Sequence, residues 1–413
     1  MQIPQQYKFI VQLGKALHTY GVPSYKSQLY LTEIAEKKGI KASFMDTPTW
    51  INYVFYEEDE HTYNHVECVP PGELNLGGLS KVVEITKHVL SNDLSFAEAK
   101  VEIENLKNHN FSYSKIIELL SFMLSAGSFS IILDTNWTSA IVASFIGALV
   151  YGITTLASKS SYIRSTLESL VAFMATIVTG LLSTIIPDIN ISMTILASII
   201  VFIPGLSITT ALEEITSRSL VSGTAKLFDA LVSLFKQFFG VVLGLAILPL
   251  FTKLHPSPVV DNIPNWVNLI AIPILSLSLM PVFKVRPKDL TLGVITGFLC
   301  FYTTTLFDFT GILVSIFIGT IATVVISKLF AHFTKAPRLV YLIPGLIMLV
   351  PGSKAFIGLS TVFLSAEIHN ANNMGEQVLY IFMGIIGGLI FSGTFMDKNL
   401  NNGRNESNQI FKR

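Results

Sequence analysis

The rhythm of polar and apolar positions along the chain changes once, near residue 113. Before that point, residues 6–20 and 24–38 carry apolar side chains at helical spacing. Gly21-Val22-Pro23-Ser24 between them supplies a proline stop and a serine cap, so the pattern predicts a helical hairpin. Ile40 to Asp46, Trp50 to Tyr56 and Thr62 to Val69 alternate or are rich in β-branched and aromatic residues. With Pro48 and the Glu57-Glu58-Asp59-Glu60 run at turns, they predict three strands, ended by Pro70-Pro71-Gly72. Two further helices are expected at 79–91 and 95–109, the second opened by a capping box of Ser95 and Glu98. Residues 1–112 therefore read as a small α+β domain.

From 113 onward the apolar runs are long enough to cross a hydrocarbon layer of about 30 Å. Ten spans are expected, at about 115–133, 138–157, 166–187, 189–212, 224–250, 266–283, 289–307, 309–330, 338–361 and 375–396. The opening MQIPQQYKFIVQLGK holds no uninterrupted apolar core of signal-peptide length before its charges, so the N-terminus is expected in the cytosol. The cytosolic loops then hold Lys159 and Arg164; Arg218 and Lys226; Lys284, Arg286 and Lys288; and Lys328, Lys335 and Arg338. The opposite loops hold Asp134, Asp188, Asp261, Asp308 and Glu367, with Lys253 their one clear basic residue. Every cytosolic loop obeys the positive-inside rule, and the tail with Lys398, Arg404, Lys412 and Arg413 also falls inside.

Composition agrees with that division. Over 413 residues the mean hydropathy is +0.57, with 51% hydrophobic and only 14% charged residues, outside the range of ordinary soluble domains. Residues 1–112 hold 24 of the 56 charged side chains, ten basic and fourteen acidic, so the formal net charge of zero conceals −4 in the first region and +4 in the second. No basic tract points to nucleic acid. Cys68 and Cys300 fall one in each region and offer neither a disulfide framework nor a cysteine zinc cluster. His61 and His65, near Glu67 and Cys68, would lie roughly 13 Å apart in an extended segment, which favours a polar strand face over a metal site. HExxH, GxSxG and P-loop motifs are absent, so no enzyme, metal or cofactor is expected.

The apolar region repeats itself. Gly147 to Leu156 (GALVYGITTL) is echoed by Gly297 to Leu306 (GFLCFYTTTL) at an offset of 150. Ile203-Pro204-Gly205 is echoed by Val350-Pro351-Gly352 at offset 147, and Gly240 to Leu245 by Gly384 to Leu389 at offset 144. These anchors fall in spans two and seven, four and nine, and five and ten. An odd number of spans per copy makes the copies enter the membrane from opposite sides, the inverted-repeat plan of alternating-access transporters. The expected architecture is an α-helical polytopic membrane protein. Residues 1–112 form a cytosolic α+β domain, 113–250 and 251–397 the two five-helix repeats, and 398–413 a cytosolic tail.

Pro204-Gly205 lies inside span four and Pro351-Gly352 inside span nine, which has a second break at Pro344-Gly345. A proline removes a backbone donor and frees a carbonyl about one turn earlier. In lipid such groups are tolerated where they face protein or a watery cavity. The matched breaks predict a midplane site in which half-helix N-termini attract a carboxylate; a plain packing kink is the other reading of either break alone. Pro204, Gly205, Ser207, Thr209, Pro351, Gly352 and Ser353 are the candidate substrate-binding residues. Nearby hydroxyls such as Thr210, Thr154, Thr155, Thr304 and Thr305 more often bond the i−4 carbonyl of their own helix.

Asp229 and Lys236 in span five, and Lys354 after Pro351, are the deepest ionisable groups. A charge at the bilayer centre costs at least roughly 2.5 kcal/mol, so something must compensate it. Asp229 is expected to bind the coupling proton or the substrate ammonium, with Lys354 facing the same cavity as counter-ion or carboxylate partner; snorkelling to the cytosolic interface is the alternative. Gly240 with Gly244, and Gly384 with Gly388, have GxxxG spacing suited to close helix packing, which also leaves room for a homo-oligomer.

Several ordered motifs resemble the threonine/serine exporter family, whose fungal branch includes pheromone-regulated membrane proteins. They are Leu17-His18-Thr19-Tyr20-Gly21-Val22-Pro23-Ser24, Val69-Pro70-Pro71-Gly72-Glu73-Leu74-Asn75-Leu76-Gly77-Gly78-Leu79, Ser95 to Ala99, and Ile203-Pro204-Gly205-Leu206 through Leu220-Val221-Ser222-Gly223. The resemblance covers nearly the whole chain. It implies a cytosolic N-terminal domain, two five-helix halves, and proton-driven export of threonine, serine or similar small amino acids. Carried over, the family's Pro-Gly motifs correspond to Pro204-Gly205 and Pro351-Gly352, and its acidic residue after the Ser-Gly segment to Asp229. The chain departs from the pattern at Ser219, where many members are acidic, and at Tyr25-Lys26, where a basic residue commonly follows Pro-Ser/Thr. The expected partners are thus a small amino acid, protons and the lipid bilayer. A membrane scaffold or signalling role in mating or membrane fusion is the alternative.

Overall fold

The computed structural model describes residues 3–57, 61–72, 75–108, 112–252, 263–334, 336–349 and 372–396. Four helices and three strands make the N-terminal domain: α1 (Lys8–Thr19), α2 (Ser24–Lys37), β1 (Lys41–Asp46), β2 (Trp50–Tyr56), β3 (Thr62–Cys68), α3 (Leu76–Leu90) and α4 (Phe96–Asn108). The strands form an antiparallel meander in the order β1-β2-β3, with Lys41 opposite Tyr56 and Trp50 opposite Cys68. Alternation in β2 puts Ile51, Tyr53 and Phe55 inward, all fully buried. Tyr7 stacks on Phe55 at 3.9 Å, and Gly14 of α1 makes room for the Tyr53 ring. The expected capping box forms: Ser95 N and Oγ donate to Glu98 Oε2 at 2.9 and 2.7 Å. Asn75 caps α3 by accepting from Gly78 N at 2.8 Å.

The remainder is helical. The first part holds α5 (Lys115–Ile132), α6 (Trp137–Ala157), α7 (Ser161–Ile185), α8 (Ile191–Ser198), α9 (Gly205–Thr216) and α10 (Leu220–Ile247). The second holds α11 (Asn268–Val282), α12 (Leu290–Leu306), α13 (Ile312–Thr334), α14 (Leu339–Leu349) and α15 (Asn372–Met396). Among the described residues six helices are long and apolar enough to cross a membrane. A seventh span arises if α8 and the helix after it, which bend by 54° at the break, count as one. Shorter apolar helices lie at Asn268–Val282, Leu339–Leu349 and Glu376–Ser392. The molecule is therefore a mostly helical membrane protein carrying a small three-stranded sheet.

Glycines set several helix contacts, because a missing side chain lets backbones approach. A Cβ on Gly240 would fall 2.2 Å from the Ser169 carbonyl, and one on Gly244 2.8 Å from Thr176, so α10 lies directly against α7. Gly384 and Gly388 bring α15 equally close to Ile316 and Thr320 of α13. Gly147 of α6 sits against the Phe122 carbonyl of α5, as Gly297 of α12 sits against Ser276 of α11. The first helices of the two parts, α5 and α11, pack on each other.

The N-terminal domain docks on both parts. The first-turn amides of α3 donate across the gap, Leu76 N to the Phe283 carbonyl at 3.0 Å and Gly77 N to the Lys284 carbonyl at 2.9 Å. Arg286 pairs with Glu84 of α3 and Asp289, both at 2.9 Å. On the other side Ser24 N donates to Glu214 Oε1 at 2.9 Å and Tyr25 Oη to Glu213 Oε1 at 2.8 Å. Burial, reinforced by the adjacent Glu213 carboxylate, pushes the Tyr25 phenol well above its ordinary pKa, so it stays a donor.

Candidate functional site

The helix that should be span four is not continuous. After α8 a 3₁₀ turn covers Ile200–Phe202, and α9 starts afresh at Gly205 behind Pro204. Proline cannot donate to the preceding turn, and the Ile200 carbonyl that it frees accepts instead from Ile203 N at 3.2 Å. The break also takes the Phe202 carbonyl out of the helical ladder, and Gln237 Nε2 of α10 donates to it at 2.7 Å.

A cavity of about 320 Å³ opens at this break. Residues 200–205 form one wall, and Glu168, Asp229 and Ser233 provide its polar groups. Leu275, Phe301 and Ile347 close it from α11, α12 and α14, so the space lies between the two helical parts. The first turn of α9 contributes Gly205 and Ser207, which places the positive end of a helix dipole on the cavity wall. Glu168 accepts from Lys236 Nζ at 3.1 Å and from Ser233 Oγ at 3.0 Å. Asp229 has no hydrogen-bond or ion-pair partner among the described residues. The wall therefore offers one carboxylate already neutralised and one open.

The structure brings Pro204, Gly205, Ser207 and Asp229 to one cavity. Thr209 is buried, with its hydroxyl given to the Gly205 carbonyl at 2.9 Å, and is not on the cavity wall. Thr210, Thr154, Thr155, Thr304 and Thr305 likewise bond carbonyls of their own helices. Gly240, Gly244, Gly384 and Gly388 lie at helix contacts rather than on this wall. Pro351, Gly352, Ser353 and Lys354 lie outside the described residues. Lys236 finds its counter-charge in Glu168, and Lys226 in Glu214, 0% exposed at the side chain.

Four polar residues were not singled out from the sequence. Glu168 is the only acidic residue in α7, a signal that was available. Gln237 follows Lys236 in an otherwise apolar stretch, but its partner, the Phe202 carbonyl, exists only in three dimensions. Glu213 and Glu214 are an adjacent acidic pair that binds partners as distant as Tyr25, Lys26 and Arg338.

Residues 8–248 match the family model described as "Putative threonine/serine exporter", and residues 268–395 match the one described as "Threonine/Serine exporter, ThrE". Proteins named pheromone-regulated membrane protein 10 are similar across most of the chain. The one from Kluyveromyces lactis is 24% identical over 95% of this chain and 44% of its own length. That from Eremothecium gossypii is 24% identical over 90% and 50%, and that from Saccharomyces cerevisiae 23% over 95% and 54%. The chain thus spans about half the length of the curated relatives it matches. No solved structure matches it.

Proposed function

The chain belongs to the threonine/serine exporter family, and from that premise we propose that it is a secondary transporter exporting small amino acids such as threonine and serine by proton-coupled alternating access. The observation that carries this reading is the open carboxylate of Asp229 in a cavity between two helical parts, beside the N-terminus of a half-helix. Such a wall holds an ammonium by charge and a carboxylate by backbone amides. Asp229 takes the coupling proton or the substrate ammonium, with Lys354 as the proposed counter-ion or carboxylate partner and Pro351, Gly352 and Ser353 as proposed substrate-binding residues, all four outside the described residues. Pro204, Gly205 and Ser207 bind substrate; Thr209 shapes the first turn of α9 through its bond to the Gly205 carbonyl.

Ten spans in two inverted five-helix repeats, 113–250 and 251–397, complete the proposal. In its support, glycine contacts recur at equivalent places: the last helix on the third in each part, and the second on the first. The N-terminal domain, residues 1–112, meets the loop that carries Arg286 and the start of α10 that carries Lys226, both of which the positive-inside rule assigns to the cytosol. Both termini, including the tail from 398, are cytosolic in this arrangement.

The test is flux of labelled threonine and serine from proteoliposomes with and without a proton gradient. Gradient-dependent flux is expected. A reconstituted protein that moves neither of these, nor any other small amino acid, would leave the scaffold or signalling role that the fungal relatives' name evokes.

A further inference from the structure

A second cavity, of about 280 Å³, lies between the N-terminal domain and the membrane helices. Three loops of the domain wall it on one side: the α1–α2 corner, the β1–β2 turn at Thr47-Pro48-Thr49, and Pro71-Gly72. The other side is α9 and α10, and there Ser207 and Asp229 border this cavity as well as the first. Gly21 at φ 76° and Gly72, whose Cβ would meet the His18 carbonyl at 2.1 Å, fold the domain's loops onto one another. His18 fixes them further, bridging Asp46 Oδ1 at 2.9 Å and the Pro70 carbonyl at 3.1 Å.

Among the described residues, two of the groups on these walls stand out for lacking partners. Asp229 is one. Ser24, at the start of α2, is the other: it lines the cavity, is 3% exposed, and its hydroxyl makes no hydrogen bond. A buried unpaired hydroxyl is costly and calls for an explanation. Lys226 adds an ammonium to the same cavity, three residues before Asp229 on α10, and such neighbours stand about 5–6 Å apart at Cβ. Lys226 also pairs with the buried Glu214 carboxylate, so its ammonium would be shared between Glu214 and an incoming carboxylate, and the lining offers a positive and a negative group on one face of α10.

We propose that this cavity binds a small zwitterionic amino acid, its ammonium on Asp229 and its carboxylate on Ser24 Oγ and Lys226 Nζ. The N-terminal domain then supplies half of a binding site on the cytosolic side. The ligand class rests on the transport reading above; the site itself rests on the geometry. The motifs Leu17 to Ser24 and Val69 to Leu79 gain a purpose, because their loops build the wall. Asp229, shared by both cavities, is the group that passes the ammonium inward.

The test uses the full chain in lipid nanodiscs with Cys68→Ser, which removes the exposed native thiol, and Thr49→Cys, which places a thiol at an exposed position of the wall. Its maleimide labelling rate is read with L-threonine, L-serine, N-acetyl-L-threonine and L-threonine methyl ester. The free amino acids are expected to slow labelling and the two blocked forms are not. Ser24→Ala breaks no existing bond, so the fold should persist, while the half-protecting concentration rises roughly fivefold, as for one lost hydrogen bond. Asp229→Asn should remove the protection. Absence of protection by both free amino acids overturns the proposal, as does protection undiminished in Asp229→Asn. Protection without flux in proteoliposomes would defeat the transport reading and keep this site; flux without protection would do the reverse.

Discussion

The two helical parts pack their helices alike and differ at the proline–glycine pairs among their described residues. Gly240 and Gly244 press α10 onto α7 as Gly384 and Gly388 press α15 onto α13. At Pro204-Gly205, however, the helix stops, turns and restarts, whereas Pro344-Gly345 stays inside α14. The surroundings account for the difference. Gly345 is enclosed by Thr323 of α13 and Thr296 of α12, and Pro344 is itself buried, so neighbours on both sides hold α14 in line. Pro204 faces a cavity, and the carbonyl of Phe202 is taken by Gln237. A proline in a membrane helix thus becomes a break where a side chain takes up a carbonyl that the ladder leaves open and a cavity lies beside the bend.

The shared packing is the easiest part of this comparison to break. Gly240→Leu would drive a side chain into the Ser169 carbonyl and Gly388→Leu one into Thr320. Each is expected to cost on the order of 3 kcal/mol, read as a lowered unfolding midpoint in detergent, and the two losses should be similar. Gly293→Ala meets the flexible Met280 thioether at 3.2 Å and Pro344 at an ordinary 3.7 Å, and should be close to neutral. A large loss in one part alone would show that the resemblance in packing is superficial.

Gln237→Leu sharpens the difference at the break. It leaves the Phe202 carbonyl unpaired, at an expected cost of about 1–3 kcal/mol, and should make the segment around Pro204 exchange its amides faster than α14 does. In flux, Pro204→Ala is expected to lose roughly tenfold, more than 1 kcal/mol in the transport barrier, while Pro344→Ala loses much less. Equal losses would mean that the break has no role beyond bending.

The smallest effect concerns docking. Burial raises the Glu84 carboxyl, but the Arg286 hydrogen bond and the Lys81, Arg286 and Lys288 charges outweigh it and hold it below its ordinary 4.5. A depressed folded value stabilises the docked form above 4.5 and loses that contribution as pH falls through the lower folded value. Glu84 is 38% exposed at the side chain, so Glu84→Gln should lower the unfolding midpoint at pH 7 by under about 1 kcal/mol in stability, with the gap closing in acid. A gap that widens in acid would contradict that assignment.

The N-terminal domain was nearly all legible from the chain itself. Alternation around Ile51, Tyr53 and Phe55, the Ser95–Glu98 box and the Gly21-Val22-Pro23-Ser24 break are local signals, and the observed elements fall within a few residues of them. Among the described residues six of the ten expected spans are helices long and apolar enough to cross a membrane, and a break at Pro204 was legible as well. What joins distant positions was not. Nothing in the sequence near Gln237 points to Phe202, near Glu168 to Lys236, or near Glu214 to Ser24 and Lys226, because these pairs form only after the helices pack. The same holds for the second cavity, whose walls come from segments up to about two hundred residues apart. Asp229 could be named as an ionisable group in an apolar span, but that it alone stays unpaired while Lys226, Lys236 and Glu168 find partners required the structure.

The most direct test of the account is therefore on Asp229: proton-gradient-driven efflux of labelled threonine from proteoliposomes, measured from pH 5 to pH 8 for the unaltered chain and for Asp229→Asn at matched reconstitution. The account predicts gradient-driven efflux that Asp229→Asn abolishes. Asp229→Asn efflux equal to that of the unaltered chain at every pH would contradict it.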